Sequence, residues 1–232
     1  MKKIFVLFAA AVLATSCLGL FNYKIVRGDG IPDDKTFEVG QFDGITVSGA
    51  MDVIYNQAPG DAYAVLHTDQ NLLDSYEIVV INNVMHISNW EGVNPVPTVD
   101  TYLTCVSEKL ESVKVSGSGS CIIDNGIEQG GDFYFVVSGS GSLKANSMEC
   151  KDFISKISGS GNININTLTA DNVSVEITGS GNANIVLVDA GDIDVRITGS
   201  GNVSLSGNAR HLNTKITGSG NIDTRRLALS GN

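Results

Sequence analysis

Positive charge is scarce in this 232-residue chain, where 15 lysines and arginines face 25 acidic residues and leave a formal net charge of −10. That balance argues against nucleic acid or an anionic membrane as an electrostatic partner. Proline is scarce as well, at 4 residues, and tryptophan occurs once. Charged residues make up only 17 % against 42 % hydrophobic ones, which excludes a disordered tail and supplies the core of one domain. The apolar run over residues 4–13 falls well short of the roughly 20 residues that a membrane-spanning helix needs. Of four cysteines, Cys17 closes the N-terminal segment and leaves Cys105, Cys121 and Cys150. An odd trio is no disulfide framework, and no CxxC pair suggests zinc. The three read as buried thiols, with a Cys105–Cys121 disulfide as the alternative.

What is present begins with Lys2 and Lys3, the apolar run, and the small residues Ala14, Thr15 and Ser16 before Cys17. A positive start, a short apolar stretch and a small-residue exit mark a secretory signal. The arrangement resembles a bacterial lipoprotein signal, in which the cysteine is lipidated and becomes the mature N-terminus. It departs from the common pattern by carrying Ala14 where leucine is usual. Residues 1–17 are thus expected to be a lipoprotein signal, with an ordinary secretory cut near Ser16 as the alternative.

Glycine is abundant, with 26 residues, and its placement organises the chain. GSG triplets begin at Gly117, Gly139, Gly159, Gly179, Gly199 and Gly218 and end at Gly119, Gly141, Gly161, Gly181, Gly201 and Gly220. Two residues before each stands a β-branched aliphatic: Val115, Val137, Ile157, Ile177, Ile197 or Ile216. Apolar and polar residues alternate on both sides of the triplet, the pattern of a strand with one buried face. Each unit of about 20 residues is then strand, tight turn, strand and connector. Such a unit cannot bury its own apolar face, whereas stacked units pile equivalent side chains into columns. The expected fold is all-β: a right-handed parallel β-helix of ~20-residue coils, regular over residues 110–232. An antiparallel meander or a propeller fits the near-constant period less well.

Residues 37–109 lack GSG, but the stretch at 45–49 reads ITVSG, and alternation continues through Met51 and Tyr55. Residues 71–76 suggest one helical turn, and Asn82-Asn83 suits a tight hairpin. Residues 90–98, with Pro95 and Pro97, suggest a loop. This half is expected to form degenerate coils continuous with the rest, preceded by a tether over residues 18–36.

With the signal, FDGITVSGAMDVIY at 42–55 and the GSGN ladder together, the sequence resembles the putative auto-transporter adhesin, head GIN domain family over residues 37–232. The resemblance implies a β-helical envelope lipoprotein of Bacteroidetes type and implies no reaction. The chain ends on Leu229-Ser-Gly-Asn232, an echo of Leu205-Ser-Gly-Asn208 inside an earlier coil. An uncapped last coil would expose a β-edge open to a partner or a second copy; the alternative is that the sequence is a fragment.

Catalytic and cofactor chemistry finds little support. GSG lies between strands with no lysine after it, unlike a phosphate-binding loop leading into a helix. The nine-residue calcium repeat is absent, and Asp189, Asp192 and Asp194 are expected on solvated connectors. His67, His86 and His211 are scattered without a triad partner. Glu176, Asp194, Arg196 and Arg210 are the residues on which polysaccharide cleavage would have to rest. No cofactor or metal is expected. The remaining candidate is a polar ladder, Asn162, Asn182, Asn202 and Asn221, with Ser or Thr before each triplet. Such stacked amides fix register, and the row offers a platform for a glycan or protein ligand. The functional expectation is a non-catalytic envelope adhesin held in the outer membrane through Cys17. A carbohydrate-active enzyme and a structural spacer are the alternatives.

Overall fold

The computed structural model describes residues 23–231, so the signal segment, Cys17 and Asn232 lie outside the described residues. In chain order the structure opens with β1 (Lys24–Arg27) and β2 (Pro32–Glu38), then β3 (Gly44–Gly49) and β4 (Asp52–Gln57). β5 (Tyr63–Asp69), a 3-10 turn at Gln70–Ser75, β6 (Tyr76–Ile81), β7 (Val84–Asn89), β8 (Val93–Val96) and β9 (Tyr102–Ser107) follow. The repeats supply β10 (Ser112–Gly117), β11 (Ser120–Ile123), β12 (Ile127–Glu128), β13 (Phe133–Gly139) and β14 (Ser142–Ala145). Longer strands complete the chain: β15 (Met148–Gly159), β16 (Asn162–Gly179), β17 (Asn182–Gly199), β18 (Asn202–Gly218) and β19 (Asn221–Leu229).

The repeats stack as parallel coils with the turns in register, Gly117 on Gly139, Gly139 on Gly159, Gly159 on Gly179, and onward to Gly199 and Gly218. In the regular coils the connectors are themselves extended, so β16 and β17 each run unbroken between turns and pair almost throughout. Asp189, Asp192 and Asp194, expected on loop-like connectors, therefore lie within strand β17. Parallel pairing along the connector satisfies backbone groups that a loop would have left to water. Inside, Val115, Val137, Ile157, Ile177 and Ile197 form one buried column. Phe133 and Phe153 stack in the next coils with centroids 6.1 Å apart and rings 3° from parallel. Ser155 interrupts an apolar column between Phe135 and Val175. It is buried, and its hydroxyl donates to the Ser174 carbonyl at 3.1 Å.

ITVSG is a true coil turn, because β3 pairs with β10 from Gly44 on Ser112 to Gly49 on Gly117. The stack continues beyond it as expected, though not in chain order. β7 pairs with the other side of β3, and β9 with the other side of β4. The chain thus lays one coil, leaves it to build the level beneath, and returns above it. Antiparallel strands close that end, β6 on β7 and β5 on β9, with β2 outside β5. The Asn82-Asn83 hairpin is present with both residues at positive φ, 51° and 63°.

Two sequence expectations need correction here. Much of the supposed tether is strand, since β2 pairs along its whole length with β5 and Phe37 packs on the core. The supposed loop at 90–98 contains β8, which pairs in parallel with β1. Neither strand is apolar enough to announce itself; each exists because a neighbour supplies hydrogen bonds. Cys105, Cys121 and Cys150 are free and buried. Burial pushes the Cys105 thiol well above its ordinary value and those of Cys121 and Cys150 up to about 12.

Candidate functional site: paired asparagine columns

The turn that creates the site begins at the first glycine of each triplet, with φ between +121° and +134° from Gly117 to Gly218. That conformation suits glycine because it has no Cβ to clash. The second glycine matters for space instead, as a Cβ on Gly181 would meet the Gly161 carbonyl and the Ile157 side chain, each at 2.7 Å. Backbone amides at the turn already have partners one coil back. Ser180 donates to the Gly159 carbonyl at 2.8 Å and Asn182 to that of Gly161 at 3.0 Å. A phosphate cradle needs free, convergent amides, so these turns bear no likeness to one.

After each turn the strand alternates, turning Ile163, Ala183 and Val203 inward and the residues on either side outward. The first outward column is the expected ladder of Asn162, Asn182, Asn202 and Asn221, in register across four coils. Asn182 Nδ2 donates to Asn162 Oδ1 at 3.1 Å, and Asn202 Nδ2 to Asn182 Oδ1 at 3.0 Å. A second column stands two residues on: Asn164, Asn184, Ser204 and Asp223. Asn184 Nδ2 donates to Asn164 Oδ1 at 3.1 Å. The two columns bound a groove of about 460 Å³. The sequence reading missed the second column, although its signal was present as N-x-N at 162–164 and 182–184. Period two sends both members of such a pair to the same face.

Asn182 uses one of its two donor hydrogens and one acceptor position along the ladder, whereas Asn162 and Asn164 only accept and Asn184 and Asn202 only donate. Donor and acceptor positions therefore remain uncommitted on amides that line the groove. Beside Asn221 the column closes on Asp223, whose carboxylate is held below its usual range by Arg225 Nη2 at 2.6 Å and the Arg225 backbone.

The other outward faces carry paired charge. Glu176 lies in register between Lys156 and Arg196 and pairs with Lys156 at 3.5 Å, and Arg196 binds Asp194 at 3.1 Å. Asp192 accepts from Arg210 Nη2 at 3.0 Å and His211 Nδ1 at 2.9 Å, and the His211 and Arg210 bonds lower its pKa. The residues on which polysaccharide cleavage would rest are therefore drawn into three surface ion pairs. His67 lies far along the chain, against Asp34 Oδ1 at 2.7 Å and stacked on Tyr102. Among the described residues, no group of three or more His, Cys, Asp or Glu side chains is arranged to hold a metal ion.

Several solved structures share this architecture. One of a putative adhesin from Parabacteroides merdae superposes with a TM-score of 0.69 at 22 % identity, covering 86 % of this chain and 98 % of the other. A putative lipid binding protein from Parabacteroides distasonis gives 0.70 at 22 % identity, covering 86 % and 99 %. A putative adhesin from Bacteroides fragilis gives 0.69 at 17 % identity, covering 85 % and 99 %. At such identities the likeness is one of fold. No curated protein matches the sequence. The family model described as putative auto-transporter adhesin, head GIN domain matches residues 41–167 and 163–231, and the chain belongs to that family.

Proposed function

We infer that the protein is a non-catalytic ligand-binding module of the bacterial cell envelope, anchored in the outer membrane through lipid on Cys17. Its ligand is a glycan, held along the groove between the asparagine columns. The carrying observation is that groove, with uncommitted amide donors and acceptors repeating along a rigid sheet. Neutral hydroxyls match such a lining, and the net charge of −10 disfavours an anionic polymer. Membership of an adhesin family and the adhesin and lipid-binding relatives are consistent with a surface role.

A glycan array followed by calorimetry tests the ligand. Binding should exceed that of unrelated carbohydrates and disappear when Asn182 and Asn184 are both changed to Ala. No binding across the array, or binding indifferent to the double substitution, would overturn the glycan reading. Labelled fatty acid entering the wild type but not Cys17→Ala supports the anchor, and equal labelling defeats it.

A further inference from the structure

At the end of the rod beneath β3 and β4, the small β1–β8 sheet is strapped over the 3-10 turn. Asn71 Nδ2 donates to the Arg27 carbonyl at 2.8 Å, and Lys24 donates its amide to Gly92 at 2.7 Å. Asp69 fastens the segments that follow both strands, accepting from the Gly30 amide at 2.7 Å, the Thr98 hydroxyl at 2.6 Å and the Thr98 amide at 2.8 Å. Ile31 and Trp90 stand at the two ends of the turn, through Gln70 N to Ile31 O at 2.8 Å and Trp90 N to Ser75 O at 3.0 Å.

This fastened lobe holds bulky apolar side chains in water. Ile25 is 61 % exposed, Ile31 54 % and Trp90 49 %. Among the described residues the exposed large apolar side chains with the highest fractional exposure, Ile25, Tyr23 and Ile31, all belong to this lobe. Several bulky apolar groups gathered on one hydrogen-bonded lobe mark a surface that meets something. Tryptophan in particular favours the boundary between lipid and water.

We propose that the lobe carrying Ile25, Ile31 and Trp90 docks on the bilayer in which Cys17 is anchored. The inference rests on the lipid-anchor reading. Only six residue steps separate Cys17 from Tyr23, so a fully extended link reaches about 20 Å. The lobe therefore stays beside the membrane surface whatever course the link takes. An acidic chain gains little from anionic headgroups, so apolar insertion into zwitterionic lipid is the matching contact. The coils then project away from the membrane and carry the asparagine groove with them.

The only tryptophan in the chain is Trp90, which makes it a native reporter. The mature protein is mixed with phosphatidylcholine vesicles whose acyl chains carry bromine near the headgroup, and its lipid content is read by mass spectrometry. Loss of most Trp90 emission, unchanged by added salt and abolished in Ile25→Asp, supports docking. Lipidated protein whose emission is unaffected overturns docking and leaves the anchor standing. Protein without lipid that is still quenched supports docking and defeats the anchor; with neither lipid nor quenching, both fail. Trp90 shielded from aqueous iodide but not quenched by brominated lipid would mean a protein partner, and would overturn the proposal.

Discussion

Gly179 and Gly181 occupy the same turn for different physical reasons, and substitution separates them. Gly179 has φ +121°, and a Cβ there would also run into the Gly159 carbonyl. Gly179→Ala is expected to cost about 1–3 kcal/mol from backbone strain, with the collision in addition. Gly181→Ala suffers crowding alone and is expected to cost about 1–3 kcal/mol. Gly40 has open space around it, so Gly40→Ala should stay within about 0.5 kcal/mol. Urea denaturation midpoints order the three. Asp69 gives a second test, in pH. Burial acts to raise its pKa, but the Thr98 hydroxyl and the Thr98, Gly30 and Val99 amides outweigh burial and hold it at about 2, against an ordinary 3.8. A carboxylate with a depressed pKa stabilises the fold fully above its ordinary value and ceases to do so as pH falls through the depressed one. The β1–β8 lobe should accordingly loosen between about pH 4 and pH 2, seen as a change in Trp90 emission before the coils melt. Asp69→Asn should show the loosened emission at neutral pH, because one amide group cannot accept at both former oxygens.

For whole elements, the asparagine columns act as struts between coils. Asn182 both donates to Asn162 and accepts from Asn202, so Asn182→Ala removes two bonds. Both are solvent-exposed, so the expected loss is about 1 kcal/mol in total, at the low end for paired amides. Asn182→Asp should lose the donated bond and keep the accepted one, giving an intermediate midpoint in the same titration. Legibility in the sequence divides along similar lines. β15 to β18 were readable because a fixed period places equivalent residues in contact, and Ile157 through Ile197 occupy the expected column. The ITVSG turn was readable for the same reason. β2 was not, since Asp33, Asp34 and Lys35 resemble a solvated linker until β5 offers its edge. Nor does local sequence disclose that β7 inserts below β3, since strand order is settled by long-range pairing. The second asparagine column is written in the repeat as N-x-N but lies outside the GSG triplets that mark the period.

Taken whole, the molecule is a one-dimensional stack in which each coil is supported by its neighbours, so position along the rod governs the effect of an identical change. Ile177 and Ile216 are equivalent in the repeat, yet the first is 0 % exposed and the second 43 %. The cause is pairing: β19 covers β18 from Asn202 to Ala209, and among the described residues no strand lies beyond 212–218. Lys215 and Thr217 beside Ile216 are exposed as well. Ile177→Ala opens a cavity between two coils and is expected to cost about 2–5 kcal/mol. Ile216→Ala removes a half-solvated side chain and should cost less than about 1 kcal/mol. Hydrogen exchange resolves the same gradient without substitution, because local opening requires separating a coil from whatever covers it. Amides of β16 and β17, with a coil on either side, should exchange slowest. Those of β19 and of residues 212–218 should exchange fastest within the solenoid. The antiparallel strands β5 and β6 close the opposite end, so β7 and β9 should be protected more than β19. Equal protection at both ends would show that something covers the β18–β19 edge in solution. In that case the Ile216→Ala effect should rise towards that of Ile177→Ala, since the same cover would bury Ile216.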